Sequence, residues 1–210
     1  MLKEVELIAV NDLCQLFNVA TTLSGEYKVI GIPKSPIDKE FVQVERFMDN
    51  TYIPVQCLEH PIGMEGVRFG HAVSIGVYTS LLAVSAPYSK PDGNKDTSGE
   101  IILYQQFGNG EFYPCGDGHS VKLGWHEWGK NIALSGNGKR MAVLGSVNNN
   151  ETVMVTRIDT KFRIIPIAVV RKPDGCEAFG EQIWLNANGD ILSVSISYMH
   201  GLKKIYHYSI

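Results

Sequence analysis

Short apolar segments alternate with turn-rich polar stretches along the whole chain, and the alternation itself recurs. Four copies of one pattern begin at Phe17, Phe69, Trp128 and Phe179, at spacings of 52, 59 and 51 residues. Three open on an aromatic-Gly pair: Phe69-Gly70, Trp128-Gly129 and Phe179-Gly180; the first reads Phe17-Asn18. A half-apolar segment follows in each: Asn18 to Leu23, His71 to Ile75, Asn131 to Leu134 and Gln182 to Leu185. Ser24-Gly25, Asn137-Gly138 and Asn188-Gly189 then mark tight turns, because such pairs suit the positive φ of a hairpin. The corresponding stretch from Gly76 to Ser80 is looser. Next comes a strongly apolar segment, as in Leu81-Leu82-Ala83-Val84 or Met141-Ala142-Val143-Leu144, and then a polar loop and a third segment such as Ile101 to Tyr104 or Val153 to Val155. A period of this size predicts a repeat architecture. No stretch carries a sustained helical period, so the units read as β.

The fourth segment of three copies holds an internal proline, at Pro54, Pro114 and Pro166. Proline has no N–H for a sheet ladder, so it belongs on an edge strand. Each unit is therefore predicted to be a four-stranded antiparallel sheet with its last strand outermost. Four such units make a four-bladed β-propeller, all-β, spanning residues 1–210 as one domain. The last copy stops after its third segment, and an orphan apolar strand, residues 4–10, precedes the first. The expectation is that this strand completes the last blade and closes the ring, hiding an unpaired edge. A half-ring that pairs with a second copy is the alternative.

Phe69-Gly70-His71-Ala72-Val73-Ser74-Ile75, with Leu82 to Pro87 and Gly99 to Tyr104, resembles an FG-GAP repeat of the integrin-α type. Trp128 to Gly138 resembles the variant with a Ser-Gly-Asp-Gly-type turn; the first and fourth copies match less closely. The resemblance implies a propeller that binds protein partners. Many integrin-like repeats hold calcium in an acidic loop between the first two strands. Here those loops, such as Gly136-Asn137-Gly138-Lys139 and Asn186 to Asp190, lack the acidic cluster, so that site does not carry over.

Composition is that of an ordinary globular protein: 44% hydrophobic, 20% charged and a net charge of −3. Nothing basic enough to track nucleic acid is present. The start of the chain does not read as a secretory signal, and no apolar run reaches membrane-spanning length. Cys14, Cys57, Cys115 and Cys176 are too widely spaced for a zinc pattern and are expected as free thiols, favouring cytoplasmic synthesis or particle assembly.

Candidate chemistry is sparse. Asp92, Asn94 and Asp96 alternate oxygen ligands as calcium loops do. Thr97 and Leu103 stand where an EF-hand needs Gly and Glu, and a solvated hairpin loop explains the same residues. His71, on an inner strand, is expected to share a channel with Lys130 and Glu181, with Val19 at matching depth, either around an ion or as a hydrogen-bonded plug. Trp125, read either as an exposed contact on a connecting loop or, the favoured reading, as packed against its blade, and His126 sit at one blade junction, and Trp125, Tyr88 and Tyr198 are candidate binding aromatics. No phosphate loop, nucleophile elbow or His-Glu-x-x-His motif occurs. These features point to a non-catalytic protein-interaction or structural module without a cofactor, as part of a larger assembly or a virus-like particle. A carbohydrate-binding propeller is the alternative, and a propeller hydrolase ranks behind both.

Overall fold

The structure is a computed structural model and describes residues 3–4, 19–33, 40–90, 99–119 and 125–210. It is a four-bladed β-propeller, each blade one four-stranded antiparallel sheet. Lys3–Glu4 forms β1. Blade 1 contains β2 (Val19–Thr21), β3 (Tyr27–Ile32), β4 (Phe41–Met48) and β5 (Thr51–Leu58). Blade 2 contains β6 (Val73–Ile75), β7 (Leu81–Ala86), β8 (Glu100–Gln106) and β9 (Phe112–His119). Blade 3 contains β10 (Trp125–Leu134), β11 (Arg140–Val147), β12 (Asn150–Ile158) and β13 (Ile164–Arg171). Blade 4 contains β14 (Cys176–Leu185), β15 (Ile191–Tyr198) and β16 (Lys203–Ser209), with a 3-10 turn at Met199–Gly201. β1 lies beside β16, Lys3 opposite His207 and Glu4 opposite Tyr206. The rest of the expected closing strand, residues 5–10, and the first anchor, Phe17-Asn18, lie outside the described residues.

The prolines sit where the ladder tolerates them. Pro54, Pro114 and Pro166 all fall on the outermost strand of their blade. In blades 1 and 3 the residue after the proline bulges out of register. Pro54 and Gln56 pair with Glu45 and Val44, leaving Val55 unpaired; Pro166 and Ala168 pair with Thr156 and Val155, leaving Ile167 unpaired. A bulge of this kind bends an edge strand and blunts it against further pairing.

The core lies between blades, and the anchor aromatics fill it. Phe69 packs among Tyr27, Val42 and Val44 of blade 1. Trp128 packs among Ala83, Ile101 and Leu103 of blade 2, and Phe179 among Leu144, Val153 and Val155 of blade 3. All three are at most 1% exposed, which is worth a few kcal/mol of burial apiece. The glycine that follows has a separate task. Gly70, Gly129 and Gly180 have φ of +84°, +97° and +73°, a region costly for residues with a Cβ. A Cβ on Gly129 would also lie 2.7 Å from the Ser85 Cβ of the preceding blade. The aromatic-Gly pair thus combines a plug between blades with a backbone twist made against the neighbouring sheet.

All four inner strands surround one central channel of about 480 Å³, lined by Val19–Thr21, Val73–Ile75, Asn131–Leu134 and Ile183–Leu185. The polar loop expected after the second strand of blade 3 is a two-residue turn, Asn148-Asn149, with φ of +49° and +63°. Two consecutive positive φ values define the hairpin turn whose twist matches that of its strands, and Asn tolerates them well.

Candidate functional site

The described residues that lead into the inner strands of blades 2 and 3 and those that follow the second strand of blade 2 border two adjoining hollows. There the residue just before the aromatic-Gly pair takes an unusual conformation twice. Arg68 has φ +58° and Glu127 has φ +51°. The left-handed region costs a non-glycine residue about 1–2 kcal/mol. Ala178, the equivalent residue in blade 4, is not in it. For Arg68 the neighbouring blade helps to hold the turn: the Glu40 carboxylate accepts the main-chain N–H groups of Arg68 and Phe69 at 2.9 and 3.1 Å.

These two strained residues carry opposite charges and line the same hollow, of about 400 Å³. Its wall combines Arg68, His71 and Tyr88 of blade 2, Glu127, Lys130 and Glu151 of blade 3, and Glu181 of blade 4. Pro87, Asn131, Leu144, Phe179 and Gly180 complete it. Asn131 ties its two sides together by donating to the carbonyls of Gly180 (3.3 Å) and Glu181 (3.1 Å). Lys130 pairs with Glu127, Lys172 with Glu151 at 3.1 Å, and Lys203 with Glu181 at 3.4 Å. The Arg68 guanidinium lies over the Tyr88 ring, 4.8 Å from its centre. Burial, and then the charges of Arg68 and Lys130 working against that of Glu127, hold the His71 imidazole below its ordinary pKa.

A second hollow, about 520 Å³, adjoins the first. Tyr88 and Glu127 line both, and Lys90, His126, Ser146 and Asn149 complete the second. The expected grouping of His71, Lys130 and Glu181 is present, but around this surface hollow and not within the central channel. His71 precedes β6 in place of lying on it, and Val19 lines the channel alone of the four. Tyr88 and His126 come together; Tyr198 does not join them. Its hydroxyl lies 2.9 Å from that of Tyr206, a contact that, with burial, pushes it up to about 12. Trp125 is not on a connecting loop: its backbone opens β10, opposite Val147. Asp92, Asn94 and Asp96 lie outside the described residues, as does Cys14; Cys57, Cys115 and Cys176 form no disulfide among the described residues. Among the described residues no group of three or more His, Cys, Asp or Glu side chains is placed to hold a metal.

Sequence reasoning missed Arg68 and the backbone conformation it shares with Glu127. The available signal was their common place before the aromatic-Gly pair, with a charge in both copies. It missed a buried cluster in blade 2 as well. The Ser89 hydroxyl donates to Glu100 Oε2 at 2.9 Å, and His60 Nε2 lies 3.1 Å from the same oxygen. The serine is turned to the carboxylate, so the imidazole is not placed to take its proton as a nucleophile's base must.

The strands, the shared channel and the plugged blade interfaces define a small β-propeller. The chain resembles solved propellers in the same way: TolB from Acinetobacter baumannii (11% identity, TM-score 0.51), the β-propeller domain of Myceliophteria thermophila Cps50 (Swd1) (12%, 0.53) and a prolyl endopeptidase (15%, 0.54). The likeness covers 91% of this chain in each case, but only 40%, 53% and 24% of those proteins. At these identities the likeness is one of fold. No protein-family model and no curated protein matches the sequence.

Proposed function

We propose that this propeller is a non-catalytic recognition module that engages a protein partner through the face carrying the two hollows. The observation that supports this most is the pair Arg68 and Glu127. Two repeat-equivalent residues hold a costly backbone conformation, bear opposite charges, and border one hollow shared by three blades. Strain of this kind is retained where surrounding structure enforces it, and it clusters at ligand-holding sites. Tyr88, 38% exposed and braced by Arg68, supplies the aromatic anchor that protein interfaces favour. The aromatic-Gly anchors support grouping the chain with FG-GAP-like propellers, whose best-known members bind proteins, and a rigid module of this size suits a place in a larger assembly or virus-like particle.

Capture of a stable partner by the immobilised protein tests this reading. Tyr88→Ala should abolish capture, while Tyr78→Ala, a change at an exposed tyrosine between the first two strands of blade 2, should leave it intact. Equal capture by both variants contradicts the reading, and so does any turnover that Glu127→Gln abolishes.

A carbohydrate ligand is the second reading. It is favoured by the exposed Tyr88 ring standing beside Lys90, His126, Ser146 and Asn149, an aromatic surface bordered by hydrogen-bonding groups. Sugar binding on a glycan array that is lost on Tyr88→Ala or Trp125→Ala would select it.

A further inference from the structure

We propose that the Arg68–His71–Lys130 side of the hollow receives a carboxylate presented by an acidic segment of the protein partner. This rests on the recognition reading above and adds the chemistry of the ligand. The charge arrangement carries it. Each carboxylate of the wall already has a lysine: Glu127 has Lys130, Glu151 has Lys172 and Glu181 has Lys203. Arg68 is different. Among the described residues it has no carboxylate partner, and its guanidinium is held against the Tyr88 ring. A planar guanidinium stacked on an aromatic ring keeps its N–H edges available, and that edge matches a carboxylate in a two-point hydrogen-bonded pair.

His71 stands in the same wall and feels the charges of both Arg68 and Lys130. Those two cations, with burial, disfavour its protonation. An anion lodged beside it reverses the balance, and His71 then becomes a second donor. Binding is therefore coupled to proton uptake: the affinity for an anion rises as pH falls toward the histidine range. The charged groups that line the hollow with His71, from every element packed around it, are Arg68, Glu127, Lys130, Glu151 and Glu181. A singly charged carboxylate fits better than phosphate, because Glu127, Glu151 and Glu181 border the same space and repel a dianion more strongly.

The test follows the His71 imidazole resonances by NMR while sodium acetate, or separately inorganic phosphate, is added at constant ionic strength. The expected result is a saturable shift with acetate, a raised His71 midpoint, and binding several-fold tighter at pH 5.5 than at about pH 8. Arg68→Asn, chosen because Asn tolerates the positive φ, should weaken acetate binding at least about tenfold. A linear, non-saturating response that is the same in Arg68→Asn overturns the proposal. So does saturable binding of phosphate without saturable binding of acetate. If acetate fails while Tyr88→Ala still abolishes partner capture, the recognition face stands and only the carboxylate inference falls.

Discussion

Glu40 and Arg68 belong to different blades, yet the Glu40 carboxylate accepts the Arg68 main-chain N–H at 2.9 Å and spans to Phe69 as well. One side chain of blade 1 thus fixes the strained entry to the inner strand of blade 2. The residue that points into the hollow and the residue that plugs the blade interface are set by the same clamp. Glu40→Ala should lose two charge-assisted hydrogen bonds and about 1–3 kcal/mol of stability, read by urea denaturation. Glu40→Gln, which keeps an acceptor, should lose less. Equal losses would mean that the carboxylate acts through something other than these bonds.

The anchor glycines supply a sharper comparison. Gly129→Ala places a Cβ at φ +97° and 2.7 Å from Ser85 Cβ. Gly108 sits in a turn with open space around it and no positive φ. Gly129→Ala should cost at least about 1–3 kcal/mol, whereas Gly108→Ala should stay within about 0.5 kcal/mol of the parent. Thermal melts of both variants check this.

Acid should find one turn early. Asp159 closes the hairpin between β12 and β13: its carboxylate accepts the main-chain N–H groups of Arg163 and Lys161, each at 2.9 Å, and pairs with the Arg163 side chain. Those N–H groups, led by that of Arg163, hold its pKa down at about 2. A depressed carboxylate contributes stability that is complete above its unfolded pKa, about 3.9, and is lost as pH falls through the folded value. Asp159→Asn should therefore flatten the stability profile between about pH 4 and pH 2 and change its slope little above that window.

Ring closure is a prediction of its own. Deleting residues 1–10 removes β1 from beside β16 and exposes the edge at Tyr206 and His207. Aggregation or a markedly lower melting temperature is expected, because an unpaired apolar edge recruits other strands. A truncated chain that stays monomeric with unchanged melting would place the closing contact elsewhere.

The parts of this fold that follow from chain-local chemistry are legible in the sequence. Proline's missing N–H puts Pro54, Pro114 and Pro166 on outer strands, and the turn residues at Asn137-Gly138 and Asn188-Gly189 define their hairpins. The grouping of His71, Lys130 and Glu181 follows from equal depth in the repeat. What stays hidden depends on neighbouring blades. Nothing in the sequence around Arg68 announces a positive φ, because Glu40, on another blade, helps to hold it. Trp125 looks like a loop residue because Gly124 precedes it, yet β10 extends back through a bulge between His126 and Asn131 to include it. Tyr198 looks like an available aromatic until Tyr206, on the adjacent strand, takes its hydroxyl.

The central claim is that partners are recognised at the face bordered by Arg68, Tyr88 and Glu127. Oxidative footprinting of the free protein and of its complex with the captured partner tests it most directly, since two exposed tyrosines report on separate regions: Tyr88 on the hollows and Tyr78 on the turn after β6. The account predicts strong protection of Tyr88 on binding, with Tyr78 modified as before. Protection of Tyr78 with Tyr88 unchanged would contradict it.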